Sequence, residues 1–285
     1  MTEGYEQYLK NLPVMPDVAA RILAMREESP EVSLKKLEET VKLDPGLTAK
    51  ILKIANSALY ARPREIKSLQ TAITLLGFKN IKSLVILLSA SGAFARMARE
   101  KFYAFFWRHS LLSAFYARQV TVRCGRKELS EECFVGGLLH DIGQVAFLHT
   151  DRERYREVVD QLMAGNSAVE GLEETLFGFN HHTFGSALLQ KWNFPQVYID
   201  IAREHRSLNV SSPHRQPVLI VTAATLLAQT PLEEAADRER QEMLAQVLPR
   251  VGLGAADAEY LLRQFAADLQ NDPLYQECGA LFASA

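Results

Sequence analysis

Apolar residues recur at spacings of three and four along most of the chain, the repeat that lines one face of an α-helix. The first clear stripe is Leu34, Leu37 and Val41, with Ser33 before it as a cap. Asp44-Pro45 joins a capping side chain to a proline at the first helical position, where its missing N–H costs nothing. It opens a helix with Leu47, Ile51, Ile54 and Ala55 on one face, expected to fail near Asn56-Ser57 ahead of a loop at Arg62-Pro63. Ser68 caps a short helix ending at Gly77, a residue that tolerates the left-handed conformation. Asn80 is expected to cap the next, from Ile81 to about Phe94. Later stripes predict helices over 101–122, 131–140, 151–164, 181–191, 195–206, 217–227, 233–248 and 255–269. No stretch alternates with period two for long enough to make a strand. The pattern predicts an all-α fold.

Composition narrows the class. A chain of 285 residues with 48% hydrophobic and 23% charged residues is that of an ordinary globular protein, one large domain or two small ones. Its 32 basic and 34 acidic residues leave a net charge of −2, which argues against a dedicated duplex-DNA binder. The clusters Lys79, Lys82, Arg96, Arg99, Lys101 and Arg123, Arg126, Lys127 therefore read as solvated surface rather than as a nucleic-acid footprint. The N-terminus shows no signal-peptide pattern, and the longest apolar stretches fall short of the roughly 18 residues that a membrane span needs. Three cysteines without a Cys-x-x-Cys pair indicate neither a disulfide framework nor a thiolate metal site. A cytoplasmic location and no membrane partner are expected. Charge is uneven, however: residues from Pro231 onward hold four basic and ten acidic side chains, against 28 and 24 before them. That suggests an acidic helical extension.

Candidate chemistry lies in the histidines. His109 shares a helical face with Phe105, Phe106, Leu112 and Tyr116; His181 with Gly185, Leu188 and Trp192; His205 with Tyr198, Ile201 and Leu208. All three are expected to point inward. His182 steps about 100° away from His181 and is left out. His149 and His214, at predicted element ends, are left out too. His140 stands beside Asp141 at a helix end, where imidazole and carboxylate can reach one ion together. Gly136 and Gly137 leave room for a neighbouring helix, and Gly143 permits a sharp exit. Neutral imidazole with carboxylate suits iron, zinc, manganese or nickel, and a water on such an ion becomes a usable nucleophile.

An ordered series of motifs then resembles a known family. Leu12-Pro13-x-Met15-Pro16 is followed by Asp44-Pro45-Gly46-Leu47-Thr48, Ile54-Ala55-Asn56-Ser57-Ala58-Leu59-Tyr60, Ala72-Ile73-x-x-Leu76-Gly77 and Trp107-x-His109-Ser110. Gly137-Leu138-Leu139-His140-Asp141-Ile142-Gly143, Gly178-Phe179-Asn180-His181 and Gly185-x-x-Leu188-Leu189-x-x-Trp192-Asn193-Phe194-Pro195 complete it. The succession, over about residues 5–230, is similar to the HDOD domain, the HD-related output domain of bacterial signalling proteins. The resemblance implies an HD-domain-like multi-helix bundle with an N-terminal helical lobe. The expected domain spans 1–230, its N-terminal lobe about 1–98 and its HD-like lobe about 99–230, followed by an acidic extension over 231–285.

HDOD domains are relatives of the HD phosphohydrolases, among them phosphodiesterases that cleave cyclic dinucleotides at metal centres of histidine and aspartate. By that resemblance His109, His140, Asp141, His181 and His205 are the expected metal ligands. Two positions depart from the pattern. Arg206 stands where a second histidine is expected, and Thr225 where a final aspartate is expected. A permanent cation and a lost carboxylate both disfavour a second ion. The expected function is a non-enzymatic bacterial signalling scaffold with a degenerate site, holding one divalent metal or none and acting on other signalling proteins. The alternative is a metal-dependent phosphohydrolase acting on nucleotides or cyclic dinucleotides, with a nucleotide as ligand.

Overall fold

A computed structural model of the chain describes residues 3–25, 30–58, 66–166, 168–229 and 238–282. Leu59 and Tyr60 of the motif series, the Arg62-Pro63 loop and Pro231 lie outside these residues. The described residues are helical throughout and contain no strand, so the all-α expectation holds. The chain opens on α1 (Glu3–Lys10) and divides into two compact units, one of Pro13–Ala95 with Leu269–Ser284 and one of Met1–Leu12 with Arg96–Asp268.

The first unit starts with α2 (Asp17–Leu23), α3 (Pro30–Val41), α4 (Pro45–Ala58), α5 (Leu69–Leu76) and α6 (Phe78–Ala93). Helix α3 begins three residues before the cap expected at Ser33, because Pro30 is a suitable first residue. It buries Leu37 and Val41 as the stripe predicts. Asp44 caps α4, its Oδ1 accepting from Leu47 N at 2.9 Å. The helix runs past the expected stop to Ala58 because Asn56 supports it. Asn56 Nδ2 donates to Leu52 O and to Ile66 O, and its Oδ1 accepts from Ile66 N. Ser68 caps α5, and Gly77 leaves it with φ +84°, from which α6 starts at once. Asn80 is thus inside α6 and not its cap; its amide donates to Leu76 O at 2.8 Å. Lys82 is not solvated either. It is buried, and its Nζ donates to Met25 O at 3.3 Å. No single described helix is long and apolar enough to cross a membrane; α5 and α6 pass that test only as a pair bent by 113°.

The second unit is built on α7 (Lys101–Arg123), which buries Phe102, Phe106, Trp107 and Leu111. Phe105, expected on the inward face, is 40% exposed, so His109 sits at the edge of the buried stripe. Then come α8 (Ser130–Leu139), α9 (Ile142–Thr150), α10 (Arg152–Met163), α11 (Glu170–Phe177), α12 (His181–Lys191), α13 (Gln196–Glu204) and α14 (Arg215–Gln229). Helix α9 escaped the pattern because Ile142 to Leu148 are buried on every side, leaving no polar face to mark a period. Two glycines set the spacing of these helices. A Cβ on Gly137 would lie 2.8 Å from Ala114 Cα, and one on Gly143 only 2.0 Å from His181 O. Gly143 therefore serves close approach of α9 to α12 and not the sharp exit expected of it. Tyr8 of α1 joins this unit, donating to Asp151 Oδ2 at 3.0 Å and meeting Phe177, Phe179 and Phe184 edge-on.

The last helices are α15 (Arg238–Arg250), α16 (Ala255–Tyr260), continued by a wider π-turn through Leu261–Phe265 into α17 (Ala266–Gln270), and α18 (Pro273–Ala280). They are not an appendage. Leu244, Val247, Leu248 and Val251 enter one core cluster with Val218, Ile220 and Leu227 of α14. Helix α18 packs on α4 within the first unit. The acidic residues coat one side of helices whose other side is core.

Candidate metal centre

Helix ends build this site. His140 is the C-terminal cap of α8 and Asp141 precedes the first residue of α9, so neighbours in sequence turn into one space. Gly178 closes α11 in the left-handed conformation (φ +80°), and Asn180 then caps α12 by accepting from Thr183 N at 3.1 Å. His181 is thereby the first residue of α12. His205 ends α13, and His109 comes from mid-α7, where Gly137 lets α8 press close.

The five expected residues meet. His109 Nε2 is 3.2 Å from His140 Nε2, which is 3.1 Å from Asp141 Oδ2. Asp141 Oδ1 is 3.3 Å from His181 Nε2 and 3.1 Å from His205 Nε2. All but His109 are buried. His182 is a sixth member that the periodicity argument set aside. Its donor atom falls with those of Asp141, His181 and His205 within 4.8 Å of one another. The available signal was the doubled histidine right after a capping asparagine, since at a first turn two neighbouring side chains can flank one space. His149 and His214 stay outside; His214 Nδ1 pairs instead with Asp200 Oδ2 at 2.7 Å.

A second layer holds the rings. Glu173 of α11, fully buried, receives His181 N at 2.8 Å and His181 Nδ1 at 2.6 Å, while Tyr155 OH donates to its other oxygen at 2.6 Å. His140 Nδ1 faces Gly137 O at 2.9 Å, and His205 Nδ1 faces Ile201 O at 3.2 Å. With Nδ1 of each ring turned to one of these acceptors, Nε2 of each faces the centre. Sequence reading missed Glu173 altogether.

Charge follows from burial. Desolvation and the His140 charge push His109 down to about 3. Desolvation likewise takes His205 down to about 4 against the pull of Asp141, and holds His182 well below its ordinary value. His181 goes the other way, to about 10: burial lowers it, but the Glu173 charge, the hydrogen bond His181 donates to Glu173 and the nearby Asp141 carboxylate outweigh that. Burial alone would raise the Asp141 carboxyl, yet the His140 charge and the His140, His181 and His205 rings set against it keep it well below the usual carboxylate range.

These residues fit a metal ion. Asp141 Oδ1, His181 Nε2 and His182 Nε2 are buried without a hydrogen-bond partner. Buried polar atoms left without a partner cost about 1–3 kcal/mol each, and an ion bound between them, with the rings deprotonated, removes that cost. Donors about 2.1 Å from a tetrahedral ion stand about 3.4 Å apart, close to the 3.1 and 3.3 Å seen at Asp141 Oδ1. The two departures are equally plain. Arg206 turns to Glu170, with Nε 3.0 Å from Oε1. The Thr225 hydroxyl is spent on Thr222 O at 2.9 Å. Both line a small opening of about 250 Å³, its mouth included, beside His140, Asp141 and His205 and under Met243 of α15.

Comparison with known proteins gives the family and the fold. The profile of the HDOD domain matches residues 12–208. An uncharacterized protein of Treponema pallidum (strain Nichols) is 22% identical over 211 residues, 73% of this chain and 41% of that protein. The chain thus spans about two fifths of the length of the curated relative it matches. Among solved structures, an HDOD domain protein with unknown function from Geobacter sulfurreducens superposes with a TM-score of 0.75 at 22% identity, covering 99% of this chain and 98% of that one. A "Putative phosphohydrolase" from Shewanella amazonensis SB2B gives 0.74 at 24% identity, with 99% of each chain covered. A "Putative signal transduction protein" from Marinobacter aquaeolei VT8 gives 0.75 at 20%, over 97% of this chain and 60% of that one. At such identities the likeness is one of fold.

Proposed function

This chain belongs to the HDOD domain family, and from that premise we propose that it is a cytoplasmic, bacterial signal-relay protein. In this reading it acts through contacts with other signalling proteins and not by catalysis, around an HD-type centre reduced to one divalent metal. The ion is held at Asp141 by donors drawn from His109, His140, His181 and His205. Iron, zinc, manganese and nickel all suit such a nitrogen-rich set.

The observation that carries the reading is the carboxylate count. Asp141 supplies the one carboxylate within donor distance in either described group; the second expected position is Thr225, whose hydroxyl is occupied within its own helix. A second cation would find no second carboxylate in either group, with Arg206 lining the opening beside them. The opening over the centre adds support. Its enclosed space is about 10 Å³, on the scale of one water molecule and not of a nucleotide. A bound ion supplies Lewis acidity to any oxygen ligand that completes its shell. The residues here orient it: Glu173 fixes the His181 ring, and Asp141 balances half of a divalent charge.

The test pairs elemental analysis of untagged protein with hydrolysis assays. One ion per chain and no turnover of nucleotides or cyclic dinucleotides with manganese, iron, zinc or nickel is the expected result. Metal-dependent turnover abolished by Asp141→Ala would overturn the scaffold reading in favour of a phosphohydrolase.

A further inference from the structure

We propose that His182 replaces the histidine missing at residue 206, so that the ion sits among Asp141, His181, His182 and His205 and not between His109 and His140. The proposal rests on the one-metal reading and specifies which side of Asp141 the ion takes.

The first argument is which atoms lack partners. Both sides of Asp141 offer nitrogens at suitable spacing, so distance alone does not choose. Hydrogen bonding does. His109 Nε2 and His140 Nε2 are 3.2 Å apart, and with His140 Nδ1–H given to Gly137 O, a proton on His109 Nε2 satisfies both rings. That pair is complete without a cation. On the other side Asp141 Oδ1, His181 Nε2 and His182 Nε2 are all buried and all unpartnered. Three buried polar atoms without partners around one point leave a place for an ion; a hydrogen-bonded pair does not.

The second argument is placement. His182 packs edge-on to both neighbours, its ring centroid 4.2 Å from His181 and 4.7 Å from His205. It approaches the group from the first turn of α12, whereas a residue at 206 would approach from the end of α13. Two routes reach the same side of the same carboxylate. Glu170, the first residue of α11, makes this workable. Its Oε1 lies 3.0 Å from Arg206 Nε and so offsets the Arg206 charge beside the centre. The same oxygen is 3.7 Å from His182 Nε2, too far for a hydrogen bond that would use up the lone pair.

The experiment uses the full chain, stripped with chelator and titrated with zinc and with cobalt(II), whose visible spectrum reports its ligands. Wild type, His182→Ala, His182→Gln, His149→Ala and Asp141→Ala are compared, with circular dichroism and a melting curve to confirm that each folds. The expected result is one ion per wild-type chain and a loss of about 100-fold or more in affinity for both His182 variants, at the upper end of what even supporting residues contribute. An altered cobalt spectrum should accompany it, while His149→Ala, outside the centre, keeps the wild-type spectrum. Unchanged affinity and spectrum in His182→Gln, with binding lost in Asp141→Ala, would refute the role of His182 and leave the one-metal reading standing. Wild-type protein that binds no ion would instead remove the one-metal reading itself, and two ions per chain would remove its count.

Discussion

Glu173 accepts from His181 twice, from the backbone N–H at 2.8 Å and from ring Nδ1 at 2.6 Å. One buried carboxylate thus fixes the start of α12 and the orientation of a candidate ligand. Replacing it with glutamine keeps an acceptor for His181 and a partner for Tyr155 but removes the charge that makes the ring basic. Glu173→Gln is expected to fold and to weaken zinc binding about 10- to 100-fold. Glu173→Ala is expected to cost about 1–3 kcal/mol for each polar group left stranded. Zinc titration and urea denaturation measure the two effects, and wild-type affinity in the glutamine variant would remove Glu173 from the centre.

Gly143 tests the packing that joins α9 to α12. Its missing Cβ would stand 2.0 Å from the backbone oxygen of His181, which no side-chain rotation can relieve. Gly143→Ala must therefore push the helices apart and move His181 from Asp141. The expected cost is at least the 1–3 kcal/mol typical of overpacking, together with lost metal binding. Gly171→Ala, in α11 with nothing near its Cβ position, is the matched control and should be neutral or slightly stabilising. Equal melting temperatures for the two variants would contradict the close approach.

How much of this was legible in sequence depends on where each residue's neighbours come from. Leu37, Val41, Ile51 and Ile54 are buried where their own helical stripes put them, and Asp44 and Ser68 cap where their local sequence says. His140, Asp141, His181 and His205 were readable because each stands at a helix end with apolar positions behind it. Glu173 was not: in Glu-Gly-Leu-Glu-Glu-Thr-Leu-Phe it is spaced like any surface glutamate, and the partners that mark it as buried, Tyr155 and His181, come from other helices. The acidic stretch after residue 230 misled for the same reason. Charge counts register the wet side of α15, while Leu244, Val247 and Leu248 on its other side depend on α14.

Asp257 gives a pH-dependent case. Its carboxyl is held below the ordinary value first by the Gly254 N–H at 3.0 Å, then by Arg123, whose Nε lies 3.0 Å from Oδ1. A depressed folded-state value means stability present above about pH 4, the unfolded value, and lost as pH falls through the lower folded value. The pair is solvated, so its contribution stays under about 1 kcal/mol. Arg123→Ala should melt slightly below wild type at pH 7, and the difference should shrink toward pH 3. A gap that widens on acidification would show that Arg123 acts through something other than this carboxylate.

The final helices offer the sharpest test of how the chain is organised. If residues after 230 were a detachable extension, truncation at Thr230 would leave the preceding residues with their stability intact. The packing says otherwise. Removing α15 uncovers Val218, Ile220 and Leu227 on α14 and takes away Met243 from above the candidate centre, and removing α18 takes a partner from α4. Truncation is expected to yield aggregated or poorly folded protein. A gentler probe is Leu248→Ala in the full chain, which deletes a side chain 4% exposed in that cluster and should cost about 2–5 kcal/mol. Leu43→Ala, at a side chain 61% exposed, is the matched control and should fall within about 0.5 kcal/mol of wild type. Urea midpoints decide the matter: a truncated chain that unfolds cooperatively at the wild-type midpoint, or a Leu248→Ala protein no weaker than the Leu43→Ala control, would restore the detached extension.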